Sequence, residues 1–254
     1  MEKLVYLVWK RRGGEADVVR ESLLDECAPR LLALGPRGLS INVDDSDAEV
    51  PAPVPWPEHE PPLVAEISLW LDCYQRRGPY EEILSGVGDE MAGYLVTESL
   101  YTDYGGNEHS RPRAWPDGER SPGVLTVTLL EKPERMSHAD WIAHWHGVQS
   151  LVSEEIQPRA RYVRNAVVRA LTPAAPPYLG IVEEAWPSAE HVTDPMLFYC
   201  GDGSKQRMQR NLERMLESVR GFLDLDRIRN VTMSEYLLET GWAARAPGRP
   251  GGTG

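Results

Sequence analysis

Positive charge is what this chain lacks most: 27 Lys and Arg stand against 39 Asp and Glu, for a formal net charge of -12. Phosphate binding relies on clustered Lys and Arg, so this balance argues against nucleic acid as a partner. Arg207, Arg210, Arg214, Arg220, Arg227 and Arg229 do gather in the C-terminal half, but acidic neighbours and helical spacing make them a solvated face. Cysteine is scarce as well. Cys27, Cys73 and Cys200 are odd in number, far apart and without a CxxC pair, which leaves no disulfide framework and no metal-ligand spacing. Buried free thiols in a reducing compartment are the expectation. Long apolar runs are missing too: MEKLVYLVWKRRGG is too short and too alternating for a signal peptide or a membrane span. A cytoplasmic protein follows, with no membrane association. Finally, there is no GxGxxG after a strand, no GxxxxGK[ST], no GxSxG and no HExxH, and Gly201-Asp202-Gly203 is a turn rather than a nucleotide loop.

What is present is an ordinary globular composition with 26% charged residues, long enough to bury one large core or two of about 120 residues each. Hydrophobic patterning predicts two similar halves. In the first, strands over 3–10, 39–45, 63–72 and 91–104 enclose helices over 17–34 and 80–84, with a proline-rich excursion at 50–62. In the second, strands over 124–132, 161–171, 178–186 and 231–239 enclose helices over 137–156 and 206–222. Each half therefore reads β-α-β-β-α-β, the ferredoxin-like pattern, and two such sheets face to face make an α+β barrel. The halves span 1–104 and 123–240, joined by a connector at 105–122 and followed by a disordered tail at 241–254. Lys10 and Lys132, Ala16-Asp17 and Ala139-Asp140, Trp70 and Trp186, and Val96-Thr97-Glu98-Ser99 and Val231-Thr232-Met233-Ser234 recur in the same order, which duplication explains.

The helix from Ser137 carries the most detail. Ser137 is an N-cap with Asp140 completing a capping box, and Trp141, Trp145, Val148, Val152 and Ile156 form one apolar stripe ending before Pro158. On the helix from Gln206 the buried face is expected at Met208, Leu212, Met215, Leu216, Val219 and Phe222.

Met136-Ser137, the aromatic at 141, Trp145 and Arg161-Tyr162-Val163-x-Asn165 resemble the EthD domain, a branch of the dimeric α+β barrel superfamily. The resemblance is strongest over 123–200, where Glu183-Glu184-x-Trp186 also fits, and the first half looks like a diverged copy. The chain would then be a fused tandem, carrying in one polypeptide the barrel that single-domain relatives form by dimerising. The resemblance implies a cofactor-independent protein that binds, and as an enzyme transforms, a small hydrophobic, aromatic or polyketide-like molecule, as cyclases, isomerases, decarboxylases and oxygenases of that superfamily do. The alternative it leaves open is a non-catalytic binding or accessory protein of a degradation or biosynthetic pathway. Either would be a monomer or a homodimer.

The family pattern places a histidine four residues after the helical tryptophan, where this chain has Gln149. Glutamine donates and accepts hydrogen bonds but takes up no proton near neutral pH. Trp141, Trp145, Gln149 and Asn165 are the expected ligand-binding residues. His144, Tyr162 and Glu183 are the expected catalytic ones, with two core tryptophans and an edge glutamine as the plain alternative. His144 and His146 lie roughly 200° apart on a helix and cannot jointly hold an ion, so no metal is expected. Alternation puts Tyr162 and Asn165 on opposite faces of their strand, and likewise Glu183 and Glu184. An inward glutamate would be a buried acid with a raised pKa, unless Arg161 or Arg164 pairs with it. One working pocket is expected, in the second half, because Ser22 and Glu26 stand where Trp145 and Gln149 do. The connector would fold over its mouth and contribute His109 or Trp115.

Overall fold

Lys3, Val5, Leu7 and Trp9 alternate with Leu4, Tyr6 and Val8 along the first strand, and that period of two decides which layer each side chain enters. The computed structural model describes residues 1–10 and 16–240, so the tail expected at 241–254 lies outside the described residues. Eight strands are formed: β1 (Glu2–Trp9), β2 (Gly38–Val43), β3 (Leu63–Leu71), β4 (Glu90–Thr102), β5 (Val124–Leu130), β6 (Arg161–Ala170), β7 (Gly180–Trp186) and β8 (Arg229–Glu239). They close into one barrel in the order β1-β3-β2-β8-β5-β7-β6-β4, every neighbour antiparallel. Closure pairs every strand on both sides and leaves no sheet edge open to another chain. β1 to β4 supply the contiguous run β4-β1-β3-β2, and β5 to β8 the run β8-β5-β7-β6. The runs join where β2 meets β8 and β4 meets β6.

Helices cover the outside: α1 (16–33), α2 (Gly78–Leu84), α3 (138–156), α4 (Glu190–Thr193), α5 (Pro195–Phe198) and α6 (Lys205–Phe222). Against α1 and α2 the outward residues of the first run pack with Leu23, Leu31, Tyr80 and Leu84. Against α3 and α6, Leu130, Tyr162 and Val182 pack with Trp141, Trp145 and Phe222. The inward residues Val5, Leu7, Trp9, Leu63, Tyr94, Leu129, Ile181 and Met233 fill the barrel itself. The proline-rich segment is a strap onto the second half. Val50, Val54 and Trp56 pack against three different apolar clusters, and Glu60 is tied to Arg229 at 2.6 Å.

The first long helix of each half contains a π-helical turn, at Ser22–Cys27 in α1 and at Trp145–Gln149 in α3. A π turn holds more residues than an α turn, so it shifts the buried face along the sequence. This corrects the stripe expected on α3. After Trp145 the buried positions are Ser150, Ser153 and Ile156, while Val148 is exposed. Ser137 caps the helix as expected, its Oγ accepting the Asp140 N–H at 3.1 Å. On α6 the fully buried stripe is Asn211, Met215, Ser218 and Phe222, so the expected face is displaced toward small and polar residues. Of the cysteines only Cys27 is buried, and none is bonded to another. Of the arginines of the C-terminal half, Arg207 pairs with Asp202, Arg214 with Glu155, Arg227 with Glu131 and Arg229 with Glu60. No helix among the described residues is long and apolar enough to cross a membrane.

Candidate functional site

Toward one end the barrel interior stops being apolar. Seven of the eight strands turn a polar or charged residue inward there: Lys3, Asn42, Glu66 with Ser68, Glu98, Arg161 with Asn165, Glu183 and Glu235. The exception is β5, whose inward residues Leu125, Val127 and Leu129 are aliphatic. The polar residues form a belt joined by hydrogen bonds. Lys3 Nζ lies 2.8 Å from Glu183 Oε1 and 2.9 Å from Glu98 Oε1. Asn165 Nδ2 donates to Glu183 at 2.8 Å, and Arg161 lies 2.9 Å from Glu235 and 3.4 Å from Glu183. The Tyr104 hydroxyl donates to Glu235 at 2.6 Å. Glu66 accepts from Ser68 Oγ at 2.7 Å and from Asn42 Nδ2.

The belt holds four glutamates and two cations, so its protons are unevenly shared. Burial pushes the Glu66 carboxyl up, to about 8, and the nearby Glu183 charge adds to this. Glu183 goes the other way. Burial alone would raise it, but Lys3 and Arg161, with the hydrogen bonds from Lys3 and Asn165, hold it down at about 2. A raised pKa falls instead on Glu66, which no cation touches, while Glu183 takes the stated alternative, an ionised acid paired with Arg161 and Lys3. Lys3 is desolvated, yet Glu183 and Glu98 raise its pKa above the usual value. Glu184 faces outward and pairs with Arg159 at 2.9 Å, so the opposite orientation of the two adjacent glutamates holds.

Above the belt a cavity of about 490 Å³ opens at the end of the barrel where β1 and β2 begin and β8 finishes. Trp70 and Tyr104 give it aromatic surface, and Glu98, Arg161 and Arg113 give it charge. Trp70 can lie where it does because β2 opposes it with Gly38, whose missing Cβ would stand 2.8 Å from Trp70 Cε3. Its indole N–H donates to Glu98 Oε2 at 2.9 Å, and Lys3 Nζ sits 4.6 Å from the ring centroid. Tyr104 stands edge-on to Trp115 at 4.9 Å. The connector thus reaches the cavity wall through Arg113, with Trp115 behind Tyr104, while His109 lies beside Glu108. The lining draws on both halves of the chain rather than the second alone.

Among the residues singled out from sequence, the structure brings Glu183 and Asn165 together in the belt and places the rest in the layer between α3, α6 and the sheet. Trp141 and Trp145 are fully buried, 5.2 Å apart, with Trp145 lying across Gly180 of β7. The Tyr162 hydroxyl meets Ser150 Oγ at 3.3 Å and Trp145 Nε1 at 3.4 Å, and the Arg159 guanidinium lies 3.8 Å over its ring. His144 stacks on Phe222 at 5.3 Å, its Nε2 3.0 Å from the Ser218 carbonyl, in a space left by Gly221. Gln149 points its amide at Met215 Sδ, 3.2 Å away. None of these five lines the cavity. Lys3, Glu66, Glu98 and Trp70 were not anticipated as site residues. The available signal was a charged residue inside an apolar strand, as in LVAEISLWL, where Glu66 interrupts the run. Among the described residues, no group of three or more His, Cys, Asp or Glu is arranged to hold a metal ion.

No protein-family model matches this chain, and no curated protein matches it in sequence. Among solved structures it is similar to an anthrone oxidase-like protein, with a TM-score of 0.51 and 8% identity over 93% of this chain and 91% of that one. A dye-decolorizing peroxidase from Bacteroides thetaiotaomicron aligns at 9% identity over 93% of each chain, with a TM-score of 0.46. At such identity the likeness speaks for the fold alone. The chain is a mixed α+β protein with an eight-stranded antiparallel barrel, and its structural neighbours are of the dimeric α+β barrel type.

Proposed function

We propose that this protein binds a small hydrophobic molecule of aromatic or polyketide-like character in the barrel-end cavity and transforms it without a cofactor. The observation that carries the reading is the cavity itself, with the face of Trp70 beside the Glu98 carboxylate and the Arg161 guanidinium. An aromatic wall with a few convergent polar groups is the usual form of a small-molecule site. In this reading Glu183 and Asn165 belong to the site from below, by fixing Arg161 and Lys3. Trp141, Trp145, Tyr162, His144 and Gln149 act on it indirectly, by seating α3 on the strands that carry those groups. The likeness to an anthrone oxidase-like protein suggests the first probe, anthrone.

The test is a titration of intrinsic tryptophan fluorescence with anthrone. Saturable binding by the wild type, weakened by about tenfold or more in Trp70→Ala, is the expected result. No binding by the wild type, or equal binding by the variant, overturns the cavity as the site. A second reading, a non-catalytic binding or accessory protein, is favoured by Gln149, which occupies the family's histidine position and turns its amide to Met215. Binding of aromatic polyketides without turnover would select it.

The same reading makes the chain a fused tandem of two ferredoxin-like halves related to the EthD domain, a cytoplasmic monomer or homodimer. Its support is threefold. Each half contributes its strands in the order fourth, first, third, second. The first long helix of each half breaks into a π turn at corresponding residues, Ser22 and Trp145. Each half also has an Asn donating to an inward Glu on the neighbouring strand, Asn42 to Glu66 and Asn165 to Glu183.

A further inference from the structure

The geometry points to Glu98 as the proton acceptor of the cavity, with Trp70 as the residue that positions it; this rests on the cavity being the ligand site. The belt carboxylates Glu66, Glu183 and Glu235 are sealed at 0%, 1% and 3% exposure, whereas Glu98 lines the cavity and its side chain is 21% exposed. Both of its oxygens are held from the protein side: Oε1 by Lys3 Nζ at 2.9 Å and Oε2 by Trp70 Nε1 at 2.9 Å. Two donors fix the plane of the carboxylate and leave each oxygen a lone pair for a further partner. The Asp103 and Glu239 carboxyls also reach the cavity, but Asp103 lies beyond the end of β4 with a 3.6 Å contact to Arg161 Nε, and Glu239 is the last residue of β8. Glu98 differs in standing within the strand, beside the aromatic face that a ring would stack on.

Asn165 supplies an independent observation. It is the direct cross-strand partner of Glu98 in the β4–β6 ladder, fully buried, and its Oδ1 has no hydrogen-bond partner. A buried acceptor left open beside a fixed carboxylate calls for a donor that the protein does not provide. Asn165 itself does not line the cavity, so a water molecule held in the belt beneath Glu98 would supply it.

The chemistry that fits is proton abstraction from a carbon acid, a C–H conjugated with a carbonyl through a flat aromatic frame. The C–H bond breaks and its electron pair moves into the carbonyl to give an enolate. The proton forms an O–H bond on Glu98. The negative charge developing on the enolate oxygen is placed in a cavity that also carries Arg161 and Arg113. Returning the proton, or a deuteron after exchange with solvent, regenerates both partners, so the step needs no oxidant.

Anthrone, whose C10 methylene is such a carbon acid, tests this in D2O under nitrogen by NMR of the methylene signal, with binding followed in parallel by fluorescence. The wild type is expected to accelerate exchange above buffer. Glu98→Gln should lose about 100-fold or more of that acceleration while its affinity stays within about threefold. Trp70→Phe keeps the ring and removes the N–H, so it should bind normally and exchange about tenfold more slowly, a loss in rate without a loss in affinity. That split also guards against misfolding of the glutamine variant. Normal binding with no acceleration by the wild type, or with undiminished acceleration by Glu98→Gln, overturns the assignment of Glu98 and leaves the cavity standing. Absence of binding overturns the cavity reading, and the base with it.

Discussion

Replacing Glu66 with glutamine should stabilise the protein, and by more as the pH rises. Glu66 is fully buried, and its carboxyl titrates at about 8 in the folded chain against 4.5 in a free side chain. A folded pKa raised above the unfolded one means that the native state holds its proton while the unfolded state has already lost it. Stability is therefore full below 4.5, falls by about 1.4 kcal/mol per pH unit between 4.5 and 8, and is level above that. The wild type then forfeits about 1 kcal/mol at pH 5, about 3 kcal/mol at pH 7 and about 5 kcal/mol at pH 9, none of which a neutral side chain loses. Glutamine keeps the shape and has partners ready. Its carbonyl can accept from Ser68 Oγ, and its amide can donate to Asn42 Oδ1, which has no partner in the wild type.

Other titrations do not blur this window. Glu183, held down at about 2, contributes stability that is present above 4.5 and lost only as the pH falls toward 2. Lys3, raised above 10.5, keeps its charge throughout. Asp44, pushed up to about 6 by burial and by Asp45, loses stability as the pH rises from 3.8 to 6 and carries that cost above it, but equally in both proteins, so it cancels in the difference. The assay is urea unfolding of wild type and Glu66→Gln at pH 5, 7 and 9, followed by circular dichroism. A stability difference that stays within about 0.5 kcal/mol across the three pH values would refute the buried protonated acid.

Two further substitutions probe the two layers. Trp145→Ala empties the space over Gly180, where no side chain stands ready to fill it, and should cost about 3–5 kcal/mol by urea midpoint. Lys3→Met removes the cation shared by Glu183 and Glu98 and leaves buried negative charge poorly matched, with an expected loss of about 3–5 kcal/mol at pH 7. A loss below about 1 kcal/mol there would mean that Arg161 alone neutralises Glu183.

Much of the fold is legible in the sequence, because alternation within strands and turn chemistry between them are local. Strand and helix positions follow from these, and so does the cap at Ser137. The π turns are not legible. An apolar stripe is read at 3.6 residues per turn, so Val148 is taken as buried, although the wider turn carries it outward and brings Ser150 to Trp145's carbonyl at 3.0 Å. The site is less legible than the fold, for a reason of parity. Trp70 and Trp186 stand near the ends of corresponding strands and look like one repeated feature. One residue of register separates their faces. Trp70 turns into the barrel over Gly38, while Trp186 turns outward and stacks on Phe198 at 4.8 Å. Inward charges such as Glu66 and Glu98 become a site only when strands far apart in sequence close the ring, and local pattern carries no trace of that closure.

The ladder registers also explain why the cavity opens where it does. Lys3 pairs with Trp70 and Trp70 with Gly38, while Leu125 pairs with Ala185 and Ala185 with Arg161. If Lys3 corresponds to Leu125, the spacing that also relates Lys10 to Lys132, then Gly38 corresponds to Arg161 and Trp70 to Ala185. The same matching aligns Asn42 with Asn165 and Glu98 with Glu235, so these two positions recur in both halves, while Glu66 falls on Ile181 and Ser68 on Glu183. The difference that shapes the cavity is at Gly38 and Arg161. On one side a guanidinium, 8% exposed and held by Glu183 and Glu235, fills the mouth. On the other, a glycine leaves room for an indole and the cavity beside it. Glu235 is enclosed beneath Tyr104, which donates to it, and Glu98 is not. Two equivalent carboxylates thus end in different surroundings, one sealed and one facing the cavity, and only the second has access to a ligand's proton.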